Sequence, residues 1–289
     1  IDARVRWLVT GTPIQNQVSD IRSLFYILGC GRQDIYDLIK KYLLRRTKAG
    51  VGIPMPPLNF HENAIEWESN ESGVSEEIHQ MAANALRSPE WGDILDHLNN
   101  GMLVAILRAR QMCILPTMIR SAISEYEGER RGDFCKKLTA VSKLDAVLQK
   151  IHSRKDNCRR KIIFCHFLLE IELCVRRLEQ MGLRVGVING GTTDRGAVLK
   201  GDNDVLVVQI QTACEGLNLQ KYSEVYFTSP HWNPAVESQA VARCHRLGQL
   251  MPVDVFRFSM ESFDGDESLD EYIKKTQVIK KKIAEDMGV

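Results

Sequence analysis

The sequence predicts an α/β fold, a doubly wound parallel sheet preceded by a largely helical region. Three observations carry that expectation. From Ser142 onward, strand-length apolar runs alternate with segments of helical spacing, the order expected of a parallel sheet covered on both faces. Lys161 to Phe167 is an apolar run apart from its first residue and His166, as suits a strand buried on both sides. Before this unit lies a stretch broken by Gly50, Gly52, Pro54, Pro56 and Pro57, and then residues of helical pattern.

The elements follow in order. Arg6-Trp7-Leu8-Val9-Thr10 reads as a short apolar strand running into Gly11-Thr12-Pro13. Asp20 to Leu28 has Ile21, Leu24, Phe25 and Leu28 at helical spacing, with Gly29 to end it. Asp34 to Leu44 is a second helix, closing on Arg45-Arg46. Residues 49 to 74 form a linker with one strand around Ala64 to Trp67, and 75 to 127 are helical, Met102 to Met112 most clearly. Glu127 to Lys137 is a charged connection.

Ser142 to Ile151 and Leu169 to Met181 are helices, the second with Ile171, Cys174, Val175, Leu178 and Met181 on one face. Further strands are expected at Arg184 to Asn189, Asp204 to Ile210, Glu224 to Thr228 and Val253 to Phe258. Leu269 to Met287 is a charged helix that packs back on the sheet or tails off.

The length, 289 residues, suits one large domain or two ordinary ones, and the apolar (44%) and charged (26%) fractions are those of a soluble globular chain. A net charge of +1 gives no global field for a polyanion, so any nucleic-acid contact must come from local patches. Two basic clusters, Arg154 to Lys161 and Lys280 to Lys282, read as solvated surface. No apolar run approaches the roughly 20 residues of a membrane span, and no secretory signal opens the chain. Eight cysteines without a Cys-x-x-Cys pair argue against a zinc site and for an intracellular, reducing compartment. Cys165 and Cys174 lie in apolar surroundings that suit a core. Ile1 in place of methionine suggests a piece of something longer.

The chemistry is expected beyond the carboxyl ends of the strands. There stand Gly190-Gly191-Thr192-Thr193, Thr212 to Gly216, and Pro230-His231-Trp232-Asn233. Asn233 suits an N-cap, Pro234 the first helical position, and Gly248 a stop. On one helix, Gln239, Arg243 and Arg246 would share a face: an amide and two permanently charged forks that suit a triphosphate. A solvated basic face is the alternative on spacing alone. No Gly-x-x-x-x-Gly-Lys-Ser/Thr occurs, and no Asp-Glu pair follows an apolar strand before Trp7, so the chain by itself is not expected to hydrolyse a nucleotide.

Five segments occur in a telling order: Leu8-Val9-Thr10-Gly11-Thr12-Pro13-Ile14-Gln15-Asn16, Leu44-Arg45-Arg46-Thr47-Lys48, Gly216-Leu217-Asn218-Leu219, Trp232-Asn233-Pro234, and Gln239 to Gln249. Together they closely resemble the Swi/Snf family of helicase-like, DNA-dependent ATPases. In that family two RecA-like lobes clamp ATP and Mg2+ between them and move along double-stranded DNA. The resemblance implies that residues 1–48 are the tail of the first lobe, and 49–137 the inter-lobe linker with a helical protrusion. By the same resemblance 138–265 are the second RecA-like lobe and 266–289 a C-terminal helix. The rest of the first lobe, which holds ATP, would lie outside this chain as its partner.

By position, Arg243 and Arg246 match the family's arginine fingers, and Gln239 the glutamine facing the nucleotide. Thr12, Gln15 and Asn16 match the motif that senses bound phosphates, and Gly216 and Asn218 the one coupling cleft to DNA track. Cys165 and His166 stand where the family meets a DNA phosphate, and Trp232 matches an aromatic looking toward the groove, with a loop-anchoring tryptophan as the alternative. No metal ligands of the chain's own and no membrane partner are expected.

Three departures stand out. Thr212-Ala213-Cys214-Glu215 replaces a small-residue run with two glycines, Ser229 replaces an Asp, and Gly191 to Asp202 is short, leaving little room for a helix. These point to a divergent branch, such as a viral one, or to a degenerate, non-hydrolysing module that binds DNA or protein. The expected location is nuclear in a eukaryote, or host cell or virion for a virus.

Overall fold

A computed structural model describes residues 3–15, 17–46, 48, 50, 52–69, 71–87, 100–119, 138–214 and 216–288. Six parallel strands form one sheet in the order β1-β6-β5-β2-β4-β3. The strands are β1 (Leu58–Ile65), β2 (Arg160–Cys165), β3 (Val185–Ile188), β4 (Val205–Gln209), β5 (Tyr222–Phe227) and β6 (Val253–Met260). The helices around them are α1 (Val18–Ile27), α2 (Ile35–Tyr42), α3 (Ser72–Arg87), α4 (Asn100–Ile114) and α5 (Ser142–Ser153). They continue with α6 (Leu168–Gln180), α7 (Arg195–Lys200), α8 (Pro234–Cys244) and α9 (Leu269–Asp286).

The period-two alternation of a strand splits each apolar run between two cores. Ile162, Phe164, Leu206, Val208, Val225 and Phe227 face α7 and α8. Ile163, Cys165, Val205, Val207, Tyr226 and Phe256 face α5 and α6. Helices thus cover both faces, which is why these strands are apolar throughout rather than alternating. A third cluster joins α3, α4 and α9 through Val74, Ile78, Met112, Cys113 and Ile273. A fourth joins α1 and α2 through Ile21, Phe25, Ile35 and Leu38, and is completed by Ile283 and Met287 at the end of α9. Of the alternatives for the last helix, it packs back.

Several expectations shift. Residues 6–10 form no strand: they join no sheet among the described residues, and Trp7 and Val9 are 85% and 96% exposed. An apolar run is a strand only when another strand satisfies its backbone. The strand expected at Ala64 to Trp67 is Leu58–Ile65, and it pairs in register with β6 from Leu58↔Val253 to Ile65↔Met260. Its polar Asn59, His61, Glu62 and Asn63 suit an edge position with an exposed flank. The short segment after Gly191 does hold a helix, α7, N-capped by Asp194 through the Ala197 amide at 2.9 Å. The connection Glu127 to Lys137 and, within the 75 to 127 helical stretch, residues 88–99 and 120–127 lie outside the described residues.

Among the described residues no helix is long and apolar enough to cross a membrane, and Cys30, Cys113, Cys158, Cys165, Cys174 and Cys244 are free thiols.

Candidate functional site

The start of α8 forms as its sequence dictates. Asn233 accepts the Ala235 amide at 2.9 Å, and Pro234 takes the first helical position, where its missing N–H has no helical partner to lose. Five residues on, Gln239 donates its side-chain amide to the Thr12 hydroxyl at 3.0 Å. Two motifs 227 residues apart in sequence therefore meet directly. A second contact lies beside them: Lys48 donates to the His245 carbonyl. Burial, and then the Arg246 charge, hold the Lys48 pKa below its ordinary value. Gln15 is exposed, its amide bonded to Asp20 at 3.0 Å; Asn16 lies outside the described residues.

The helix stops earlier than its sequence suggests. Its last residue is Cys244, so Arg243 belongs to α8 and Arg246 does not. Gly248, with φ +97°, turns the chain two residues after Arg246. The stop comes from distant groups. His245 leaves helical geometry and its ring donates to the Pro56 carbonyl at 2.8 Å. The Gln249 amide reaches the Gln220 and Cys244 carbonyls at 2.8 and 3.2 Å, while its oxygen accepts from Leu250 and Met251, both at 3.0 Å. Carbonyls left open by the helix end are thereby satisfied. Arg243 is half-buried on the helix, and Arg246 is exposed in the turn that follows. Both arginines lie at the α8 terminus, but on two elements and not on one helical face.

The sheet's topological switch lies between β2 and β5, whose following helices go to opposite faces. Ligands of open α/β sheets favour such a crevice. Here protein fills it. Arg110 of α4 donates to His166 Nδ1 at 3.0 Å and to the Pro230 carbonyl at 3.3 Å, and His166 Nε2 donates to the Ser229 carbonyl at 3.1 Å. Burial, reinforced by the Arg110 charge, pushes the His166 pKa well down, so the ring is neutral. Cys165 is wholly buried, and burial beside Cys174 and Glu170 raises its thiol pKa. Cys165 and His166, expected at a DNA phosphate, are thus both buried: Cys165 in the core against α5 and α6, as its apolar setting suggests, and His166 beneath Arg110 of α4. Arg110 itself carries no sequence signal for this role.

In the 216–219 motif the side chains alternate. Leu217 and Leu219 are buried, while Gly216 (φ +80°) and Asn218 are exposed. The Leu219 amide donates to the Arg243 carbonyl at 3.3 Å, tying this loop to α8. Trp232 is half-buried, edge-on to Tyr272 at 6.1 Å, and its carbonyl accepts from Lys280 at 3.1 Å. These are the contacts of a loop anchor.

Residues 142–248 match the helicase conserved C-terminal domain. The C-terminal part of the Fun30 ATPase domain, solved by crystallography, superposes with a TM-score of 0.59 at 15% identity, covering 81% of this chain and 97% of that one. A probable global transactivator of Orgyia pseudotsugata multicapsid polyhedrosis virus is 24% identical over 96% of the chain and 59% of its own length. A probable chromatin-remodeling complex ATPase chain of Oryza sativa subsp. japonica is 25% identical over 93% of the chain and 26% of its own length. The chain is thus similar, across most of its length, to Swi/Snf-type helicase C-terminal regions, and residues 142–248 carry the helicase C-terminal match. The chain spans 59% of the viral relative and about a quarter of the rice one. The RecA-like sheet carries α8 and the 216–219 loop on one edge, and the Thr12 segment lies against them.

Proposed function

We propose that this region is the second-lobe half of a DNA-dependent ATPase that moves along double-stranded DNA. Arg243 and Arg246 reach the phosphates of an ATP held chiefly by a first lobe, with Gln239 and Thr12 as the neutral contacts beside them. The observation that carries the reading is the Gln239–Thr12 hydrogen bond, which brings a phosphate-sensing motif onto the arginine-bearing helix. Thr12, Gln239, Lys48, Arg243 and Arg246 supply hydroxyl, amide and cations, the chemistry of one wall of a triphosphate site. ATP with Mg2+ supplies the bond to be hydrolysed; these side chains orient and neutralise its phosphates.

Exposed Gly216 and Asn218, with the anchored Trp232 loop, form the side turned to DNA. Their contacts are to phosphate and groove shape, so binding by this region alone is weak, salt-sensitive and without base sequence preference. This region alone does not turn over ATP. In a eukaryotic cell the protein acts in the nucleus.

The test is DNA-stimulated ATP hydrolysis by the full-length protein. Arg243→Ala should lower kcat by roughly 10³ or more, with α8 still folded by circular dichroism. Full activity in that variant overturns the reading. A second reading is a degenerate module that binds without turnover. It is favoured by Thr212, whose hydroxyl is used in closing its own turn on the Gln209 carbonyl at 2.7 Å. Duplex binding without any ATP hydrolysis by the full-length protein would select it.

A further inference from the structure

Lys143, in the first turn of α5, is 2% exposed, and a buried ammonium needs a counter-charge. Among the described residues its ion-pair partner is Asp270 of α9, itself wholly buried. Ser229, two residues past the end of β5, stands between them: its hydroxyl donates to Asp270 Oδ1 at 2.7 Å and accepts from Lys143 at 3.1 Å. Asp270 also accepts the Met260 amide at 2.9 Å, and its place in the first turn of α9 favours a carboxylate.

The same face of α9 continues toward α8. Seven residues after Asp270, two helical turns on, Gln277 donates to the His231 carbonyl at 2.6 Å and to Glu237 Oε1 at 2.7 Å. Glu237 in turn accepts the His231 amide at 2.8 Å. Lys280 holds the Trp232 carbonyl. Every residue from 229 to 232 except Pro230 therefore bonds directly to α9, and Pro230 is held by Arg110.

We propose that Asp270 is a positioning residue for α8. Its carboxylate neutralises Lys143 from outside the sheet and, through Ser229, fixes the loop that sets where α8 begins. Departure of α9 would strip buried Lys143 of its ion-pair partner, so loop and helix open together as one cooperative unit. The work ascribed to α8 rests on the proposed function; its placement by α9 does not, and the test needs no nucleotide.

The test is amide hydrogen exchange on this chain. Asp270→Ser should reduce protection of α9 and of residues 229–236 by at least about tenfold, leaving β3 and β4 unchanged. The swap Ser229→Asp with Asp270→Ser returns a carboxylate to Lys143 from the loop after β5 and keeps a hydroxyl beside it. It should restore protection of the loop. Loss confined to α9, or a swap that fails to recover residues 229–236, overturns the proposal. If Asp270→Ser does not fold, a folded swap supports it and an unfolded swap overturns it.

Discussion

The N-terminal segment, residues 3–46, and the sheet-bearing body are held together in different ways. The body has two cores, one on each face of the sheet, supplied by its own strands and helices. The N-terminal segment has one small cluster, completed by Ile283 and Met287 from the far end of α9, and it leaves Trp7 and Val9 in solvent. The body makes its own fold, and the segment borrows part of its support. Thr12 of the segment bonds Gln239 of α8, and Lys48 just beyond it bonds the His245 carbonyl after α8; such bonds set its position without burying much apolar surface.

The largest expected effect lies in the body. Phe164, fully buried and stacked on Phe227 at 5.1 Å, should cost about 3–5 kcal/mol when changed to alanine, read as a lower denaturant midpoint for the whole sheet. A loss limited to α1 and α2 would break the comparison.

Acid should separate the regions next. The body holds three histidines whose burial lowers their pKa: His79 to about 4, His166 and His231. Residues 3–46 contain none. A folded pKa below the unfolded value means that stability is complete above about pH 6.5 and falls as pH drops toward the folded value. For His79 the loss is roughly 3 kcal/mol between pH 6.5 and 4. Buried Glu71 and Glu170, with raised pKa values, act in the opposite sense as they take up protons. His79→Gln should flatten the decline in urea-unfolding free energy over that window; an unchanged slope refutes the assignment.

Met287→Ala tests the borrowing. It should cost roughly 2 kcal/mol, seen as faster amide exchange in α1 and α2 with β2 and β4 unaffected. Gln239→Ala should cost about 1 kcal/mol or less and raise exchange near Thr12 alone. Trp7→Ser should change thermal stability by no more than about 0.5 kcal/mol.

Legibility follows the same division. Strands and helices of the body were readable because each carries its own period and caps, as Asn233 and Pro234 do for α8. What escaped reading depends on residues remote in sequence. Gly248 looked like the stop of α8, but His245 and Gln249, bonding to Pro56 and Gln220, end it before Arg246. His166 carries a polar ring at the end of an apolar run, with nothing nearby in sequence to partner it; Arg110, 56 residues earlier, covers it. Residues 6–10 have a strand's composition, but among the described residues no strand pairs with them. The serine at 229 reads as a lost charge in the motif, yet Asp270 carries that charge from a helix 41 residues away.

The pairing of β1 with β6 has a consequence for how the protein is made. Their partners lie 195 residues apart, so β1 leaves the ribosome long before the strand it needs. At about 5–20 residues per second, the wait is roughly 10–40 s. Closing so distant a contact is also slow in refolding. The newborn chain must therefore carry β1 as an unpaired edge, open to wrong partners, until β6 arrives to claim it.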